Sequence, residues 1–316
     1  MMRLIGDIGG TNARFALASN RVLLESSITV LKTAEFSTLF DALQRYLQLH
    51  AAQTVTEVRL AIAGPVSGDW ITMTNAAWHF SARELTQSLR SSALPQLQSL
   101  HVINDFEAQA LALPHLQPGH MINIGNVAAA SGCKSIIGPG TGFGAASILK
   151  NGNAHIVLAS EGGHAGIAPS DARELKVFHW LLQHGLAVTR EQLLSGPGLE
   201  RLYQALADID KRSVSALHAS EIVDAALAGD ALGKETLSTF CTLLGSAARD
   251  QALICGAHGG VYIGGGIVMH FVDFLLQSAF RTRFVASTAM ADYLRTIPTY
   301  LITTPFTGLI GAANAE

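Results

Sequence analysis

The stretch Gly6-Asp7-Ile8-Gly9-Gly10-Thr11-Asn12-Ala13-Arg14 decides how this chain is read. It is a glycine-rich turn between two apolar, strand-like runs, residues 4–8 and 15–18. Such a turn exposes backbone N–H groups at close range, because glycine puts no side chain in the way. Concave arrays of N–H groups bind anions, with phosphate the usual guest. A second turn of the same make follows downstream, Gly138-Pro139-Gly140-Thr141-Gly142-Phe143-Gly144, again between apolar runs. Either turn alone also fits a plain hairpin. Two of them at matching places in a repeated pattern predict two lobes, with a cleft between them, gripping one polyphosphate from opposite sides. Asp7 sharpens this reading. A carboxylate beside a phosphate cradle is costly unless a cation intervenes, and Mg²⁺ bound partly through water is the natural candidate.

Other phosphate motifs fit less well. Gly132-Cys133-Lys134-Ser135 lacks the glycine that a Walker A loop needs directly before its lysine. Gly140-Thr141-Gly142-Phe143-Gly144-Ala145 matches the loose dinucleotide pattern, but that pattern needs a helix next. Residues 145–149 read as a short strand instead.

Around the first turn the pattern predicts strands at 3–8, 13–18, 22–31, 57–63 and 100–103. A helix is expected over 37–50 with Ser37 as its cap, and Ser81-Ala82-Arg83-Glu84 reads as a capping box opening another. The order starts again at 134–149, with strands near 154–158, 259–263 and 298–303 and a helical stretch at 171–255. Asp171 opens the first helix of that stretch and Gly185 closes it. A long helix near 235–255 carries the small, apolar stripe Phe240, Leu243, Leu244, Ala247, Ala248, Gln251.

The 316 residues suffice for two domains and a sizeable core. With 49% hydrophobic residues, 14% charged and a formal charge of −3, nothing points to a nucleic-acid or membrane-surface partner. No apolar run reaches membrane-spanning length. The N-terminus enters a strand at once, without a secretory apolar region, so the cytoplasm is the expected compartment. Cys133, Cys241 and Cys255, odd in number and scattered, read as buried thiols of a reducing compartment.

Polar residues gather at predicted strand ends, where α/β folds place ligand chemistry. Asn104-Asp105 ends the run 100–103; Glu161-Gly162-Gly163-His164 follows another strand; Glu191 precedes Ser195-Gly196-Pro197-Gly198. Acceptor-rich sets of this kind suit a sugar, whose hydroxyls each donate one hydrogen bond. Each residue also has a plainer reading. Asn104-Asp105 fits a cap for a helix from Phe106, His164 a satisfied core histidine, and Glu191 an exposed first-turn acid. The three tryptophans, Trp70, Trp78 and Trp180, read as core.

Together these motifs closely resemble the bacterial glucokinase family, within the hexokinase, actin and heat-shock ATPase superfamily. The likeness runs almost end to end. It covers residues 6–14, Ile62-Ala63-Gly64-Pro65, Gly68-Asp69-Trp70, Met73-Thr74-Asn75, Ile103-Asn104-Asp105-Phe106, Gly140-Thr141-Gly142, Glu161-Gly162-Gly163-His164, Leu194-Ser195-Gly196-Pro197-Gly198-Leu199 and Gly264-Gly265-Gly266-Ile267-Val268. The resemblance implies an α/β fold of two ribonuclease H-like lobes, an actin-like ATPase fold. The small lobe would be 1–110 plus 301–316, and the large lobe 111–300 with a helical insertion. It implies ATP-dependent phosphorylation of D-glucose at the 6-hydroxyl, opening glycolytic glucose use. Asp105 would be the catalytic base. Asn75, Asn104, Glu161, His164 and Glu191 would join it in binding the sugar. Asp7, Gly9, Gly10, Thr11 and Asn12 would form one phosphate turn, with Asp7 toward Mg²⁺; Gly140, Thr141 and Gly142 the other; and Gly264, Gly265 and Gly266 would lie near the adenosine. A homodimer is the expected assembly. The related repressor–kinase group usually adds a cysteine-rich zinc motif, and its repressors a DNA-binding segment; this chain has neither.

Overall fold

Two larger sheets, of five and six strands, organise the chain beside a two-stranded one, and each of the larger two has one of the glycine turns joining two of its strands. The computed structural model describes residues 1–50, 54–73, 78–152, 154–287 and 289–316. The chain divides into two compact units, Met1–Leu116 with Thr304–Glu316, and Gln117–Thr303.

The first unit contains β1 (Met2–Ile8), β2 (Asn12–Ser19), β3 (Val22–Lys32), α1 (Leu39–His50), β4 (Val55–Ile62), β5 (Trp70–Thr72), β6 (His79–Ser81), α2 (Ala82–Ser91), β7 (Ser99–Asn104) and α3 (Asp105–Ala112). Its main sheet has the order β3-β2-β1-β4-β7. The first three strands form an antiparallel meander, and β4 and β7 run parallel to β1. The two-residue period of β1 assigns its faces. Leu4 and Ile8 enter a core shared with Leu43, Tyr46, Leu85 and Leu89 of α1 and α2. Ile5 points the other way, and so does Asp7.

The caps refine the sequence reading. Thr38, not Ser37, caps α1: its hydroxyl accepts the Asp41 N–H at 3.1 Å, and the Asp41 carboxylate accepts the Thr38 N–H at 3.0 Å. Three residues beyond Ser37 stands Phe40, which cannot return the bond. Ser81 caps α2 by accepting the Glu84 N–H at 3.1 Å. The supporting carboxylate is Asp69, which accepts the Ser81 hydroxyl at 2.6 Å and the Arg83 N–H at 2.9 Å.

The second unit contains β8 (Met121–Ile124), β9 (Lys134–Pro139), β10 (Phe143–Asn151), β11 (Ala154–Ser160), α4 (Ala172–Gln183), α5 (Arg190–Leu193), α6 (Gly196–Ile209), α7 (Ala219–Ala228), α8 (Ala231–Cys255), β12 (Gly260–Ile263), α9 (Val272–Gln277), α10 (Phe280–Val285), α11 (Ala291–Arg295) and β13 (Thr299–Ile302). The sheet order is β11-β10-β9-β12-β13-β8. Its first five strands repeat the pattern of the other unit: an antiparallel meander, then two strands parallel to its first member. β8 adds an antiparallel edge that the sequence reading missed. The helical stretch packs its apolar faces on this sheet, with Phe240, Leu243, Leu244, Ala247 and Ala248 of α8 in one core with Ile137, Ala145 and Ile263. α8 begins a turn earlier than expected because Asp230 caps it, accepting the Gly233 N–H at 2.7 Å.

Cysteine burial departs from expectation. Cys241 is buried, but Cys133 and Cys255 are only half-buried. Cys255 ends α8 against the sheet, where the Ser147 hydroxyl donates to its sulfur at 3.3 Å. The last helix, α12 (Thr307–Asn314), belongs to the first unit. Its Leu309, Ala312 and Ala313 cover Ile5, Ala16 and Ala18. Among the described residues, no helix is long and apolar enough to cross a membrane.

Candidate active site

The first turn joins β1 to β2. The Gly9 N–H donates to the Asn12 carbonyl at 2.9 Å and closes it. Thr33 fixes its carbonyl side: the hydroxyl donates to the Gly10 carbonyl at 2.6 Å and the N–H to the Thr11 carbonyl at 3.1 Å. Turns that bind phosphate do so through their N–H groups, which here are on the opposite side from these carbonyl contacts. The φ of Gly9 and of Gly140 in the second turn lies outside the left-handed region. A Cβ there would meet only a backbone oxygen, at 3.7 Å and 3.9 Å respectively. The protein therefore does not itself demand glycine at either place, and the space above each turn is open to a guest.

Asp7 lies at the start of the first turn, on the β1 face that carries Ile5. It stands directly across from Arg14 in the β1–β2 register, and the guanidinium lies 3.4 Å from its carboxylate. Burial pushes the Asp7 carboxyl above its ordinary value, and Arg14 pulls it back only in part. An ionised Asp7 is thus under-compensated by the protein, and its oxygens suit a hard cation such as Mg²⁺.

At the end of β7 the side chain of Asn104 caps α3, accepting the Phe106 and Glu107 N–H groups at 2.8 Å and 3.2 Å. Its amide donates to the Gly64 carbonyl at 3.0 Å. The cap is therefore Asn104, and Asp105 is the first helical residue. The Asp105 carboxylate accepts the Phe106 N–H at 3.0 Å.

In the second unit three elements converge on the second turn. Gly140 donates its N–H to the Gly142 carbonyl at 2.8 Å and closes it. The Gly196 N–H, opening α6, donates to the Gly140 carbonyl at 2.9 Å. Gly265 lies against the Pro139 carbonyl with a φ of +89°, so a side chain there would be strained and would collide. Gly264 ties this glycine run to β9, donating its N–H to the Ile137 carbonyl at 2.8 Å; Gly266 is exposed beside it.

The acceptor residues of the same unit sit next to that turn. Glu161 precedes a 3-10 turn, Gly162–His164, that His164 ends; both are exposed, so His164 is not a core histidine. Gly163 presses on the Phe143 carbonyl so closely that no side chain fits. Glu191, in the first turn of α5, is half-buried rather than exposed. Its Oε2 accepts the Phe143 N–H at 3.0 Å, and a Cβ on Gly142 would lie 2.5 Å from the same oxygen. The second turn thus adjoins Glu191 directly and, through Phe143, the Glu161–His164 loop. Asn75 lies outside the described residues.

The Glucokinase family profile matches residues 4–316. The chain belongs to the glucokinase family. A glucokinase of Caulobacter sp. (strain K31) is 41% identical over 317 residues, which cover 99% of this chain and 94% of that protein. The bifunctional protein glk of Burkholderia lata is also 41% identical, over 98% of this chain, which spans only 48% of that longer protein. Among solved structures, glucokinase from an Antarctic psychrotroph matches with a TM-score of 0.89 at 36% identity, covering 99% of this chain and 98% of that one. The family likeness thus runs over nearly the whole chain. Two contributors escaped the sequence reading. One is the backbone of Phe143, which no side-chain pattern marks. The other is Gly308 of α12, whose contact with Asp7 joins residues from opposite ends of the chain.

Proposed function

We propose that the chain transfers the γ-phosphoryl group of ATP to the 6-hydroxyl of D-glucose. The observation that carries this reading is the family match across essentially the whole chain. The two open glycine turns support it, as does the acceptor-rich set at Glu161, His164 and Glu191. We infer that the units are ribonuclease H-like lobes of the actin-like ATPase fold, a reading supported by their shared strand order.

In this mechanism Asp105 accepts the proton of the 6-hydroxyl while that oxygen bonds to the γ-phosphorus and the bond from phosphorus to ADP breaks. The products are glucose 6-phosphate and ADP. Asn104, Asp105, Glu161, His164 and Glu191 hold sugar hydroxyls in this reading, and the family pattern adds Asn75. Gly9, Gly10, Thr11 and Asn12 in one turn and Gly140, Thr141 and Gly142 in the other bind the phosphates, with Gly264, Gly265 and Gly266 toward the adenosine. Asp7 holds Mg²⁺, which when bound neutralises phosphate charge. Phosphoryl transfer needs little beyond such positioning and neutralisation. The enzyme works in the cytoplasm as a homodimer; Ile156 and Leu158, exposed on the edge strand β11, supply apolar surface for self-association.

A coupled assay with Mg²⁺-ATP and a panel of hexoses tests the reading. Glucose is expected to give the highest kcat/KM, with phosphate appearing at the 6-position. A higher kcat/KM for another hexose would overturn the substrate assignment, and no phosphorylation of any hexose would overturn the activity.

A further inference from the structure

Segment 189–196 is anchored at three points, each on or beside a different part of the proposed site. At its start, Thr189 bridges to Gly166, and the Arg190 N–H donates to the Ala165 carbonyl at 3.0 Å. Both partners directly follow Glu161-Gly162-Gly163-His164. In its middle, Glu191 Oε2 accepts the Phe143 N–H at 3.0 Å. At its end, the Gly196 N–H donates to the Gly140 carbonyl at 2.9 Å. The Ser195 hydroxyl donates to the Glu191 carbonyl at 2.7 Å and stiffens the stretch between the last two anchors. Buried Arg190 adds weaker contacts, 3.5 Å to the Gly162 carbonyl and 3.5 Å to the Gln251 amide oxygen.

Glu191 is the centre of this arrangement. A carboxylate has two oxygens and room for several donors. With Oε2 on the Phe143 N–H, Oε1 is the oxygen left for a sugar hydroxyl. Phe143 directly follows the second turn, and its carbonyl lies against Gly163. One residue beside the turn, Phe143, is therefore met on its N–H by Glu191 and on its carbonyl by Gly163.

We propose that segment 189–196, through Glu191, couples hexose binding to nucleotide binding. A hydroxyl on Oε1 fixes the carboxylate, and the fixed carboxylate holds Phe143 and with it the exit of the second turn. A turn already held loses less freedom when phosphate arrives, so each ligand raises affinity for the other. This inference rests on the roles given above to Glu191 and to the second turn. Such coupling is reciprocal by linkage. It differs from a structural role, which would alter affinities without altering their ratio.

The test is calorimetric titration of glucose into the full-length protein, with and without saturating Mg²⁺ and a non-hydrolysable ATP analogue. The wild type is expected to bind glucose roughly 5–150-fold more tightly when the analogue is present, the usual range for coupled sites. Glu191→Asp is too short to reach both partners. Gly142→Ala pushes the free end of the Glu191 side chain off Phe143 while leaving the acid in place. Both are expected to bring the ratio close to one, whatever they do to either affinity alone. Gly140→Ala is expected to weaken the analogue and keep the ratio. A ratio of one in the wild type, or an unchanged ratio in Glu191→Asp, would overturn the coupling while leaving the kinase reading intact. Failure of the wild type to bind glucose or the analogue would overturn the functional reading itself. If Gly142→Ala does not fold, Glu191→Asp decides alone.

Discussion

Gly308 lies directly against the carboxylate of Asp7: a Cβ at position 308 would stand 2.6 Å from Asp7 Cγ and 2.8 Å from each of its oxygens. The first turn of α12 therefore sets where the Asp7 carboxylate rests. Gly308→Ala is expected to displace that carboxylate and to cost about 1–3 kcal/mol of stability, the usual penalty of overpacking. Activity should fall through kcat and the KM for ATP. Glucose affinity, measured by titration, should change little, because none of its proposed ligands touches Gly308.

Gly140→Ala separates ligand space from protein packing. The added methyl would meet only the Gly142 carbonyl oxygen, at an ordinary 3.9 Å. The Tm of the ligand-free protein is expected to stay close to wild type. The KM for ATP should rise by about tenfold or more, equivalent to roughly 1.4 kcal/mol of lost binding. An unchanged KM for ATP in the folded variant would remove the second turn from the phosphate site.

Asp7→Asn exchanges function for stability. Burial raises the Asp7 carboxyl above its ordinary 3.8, so the folded chain resists ionisation more than the unfolded chain does. Well below 3.8 the group is protonated in both states and costs nothing. As pH rises past that value the unfolded state ionises first, and the wild type loses stability relative to the Asn variant. The variant is therefore expected to melt at a higher temperature than wild type at neutral pH, with the gap closing in acid, while losing Mg²⁺-dependent activity. Thermal melts across a pH series read this directly. A lower Tm for the variant at neutral pH would show that the Arg14 pair outweighs burial.

Local chemistry was legible in the sequence, and long-range chemistry was not. Both glycine turns, the Ser81 and Asp171 caps and the end of α4 at Gly185 are set by residues within a few positions of each other. The shift from Ser37 to Thr38 is of the same local kind, decided by which residue has a reciprocating acid three positions on. β8 was missed because residues 121–124 are too short to show a period and become a strand only by pairing with β13. The contacts of Glu191 with Phe143 and of Gly308 with Asp7 were likewise hidden. Each joins backbone or glycine to a carboxylate far away in sequence, and neither leaves a mark in residue spacing. The half-burial of Cys133 and Cys255 depends on where the end of α8 meets the sheet, which composition does not reveal.

The most direct measurement for the central claim is kcat of Asp105→Asn beside its glucose affinity. Asn104 holds the cap of α3 and is untouched, so the variant is expected to fold with wild-type Tm. If Asp105 takes the proton of the 6-hydroxyl, kcat falls by about 10²–10⁴, the span of one general base. Glucose affinity falls far less, because an amide still meets hydroxyl groups. A folded Asp105→Asn protein with near-wild-type kcat would contradict the assignment of Asp105 as the base.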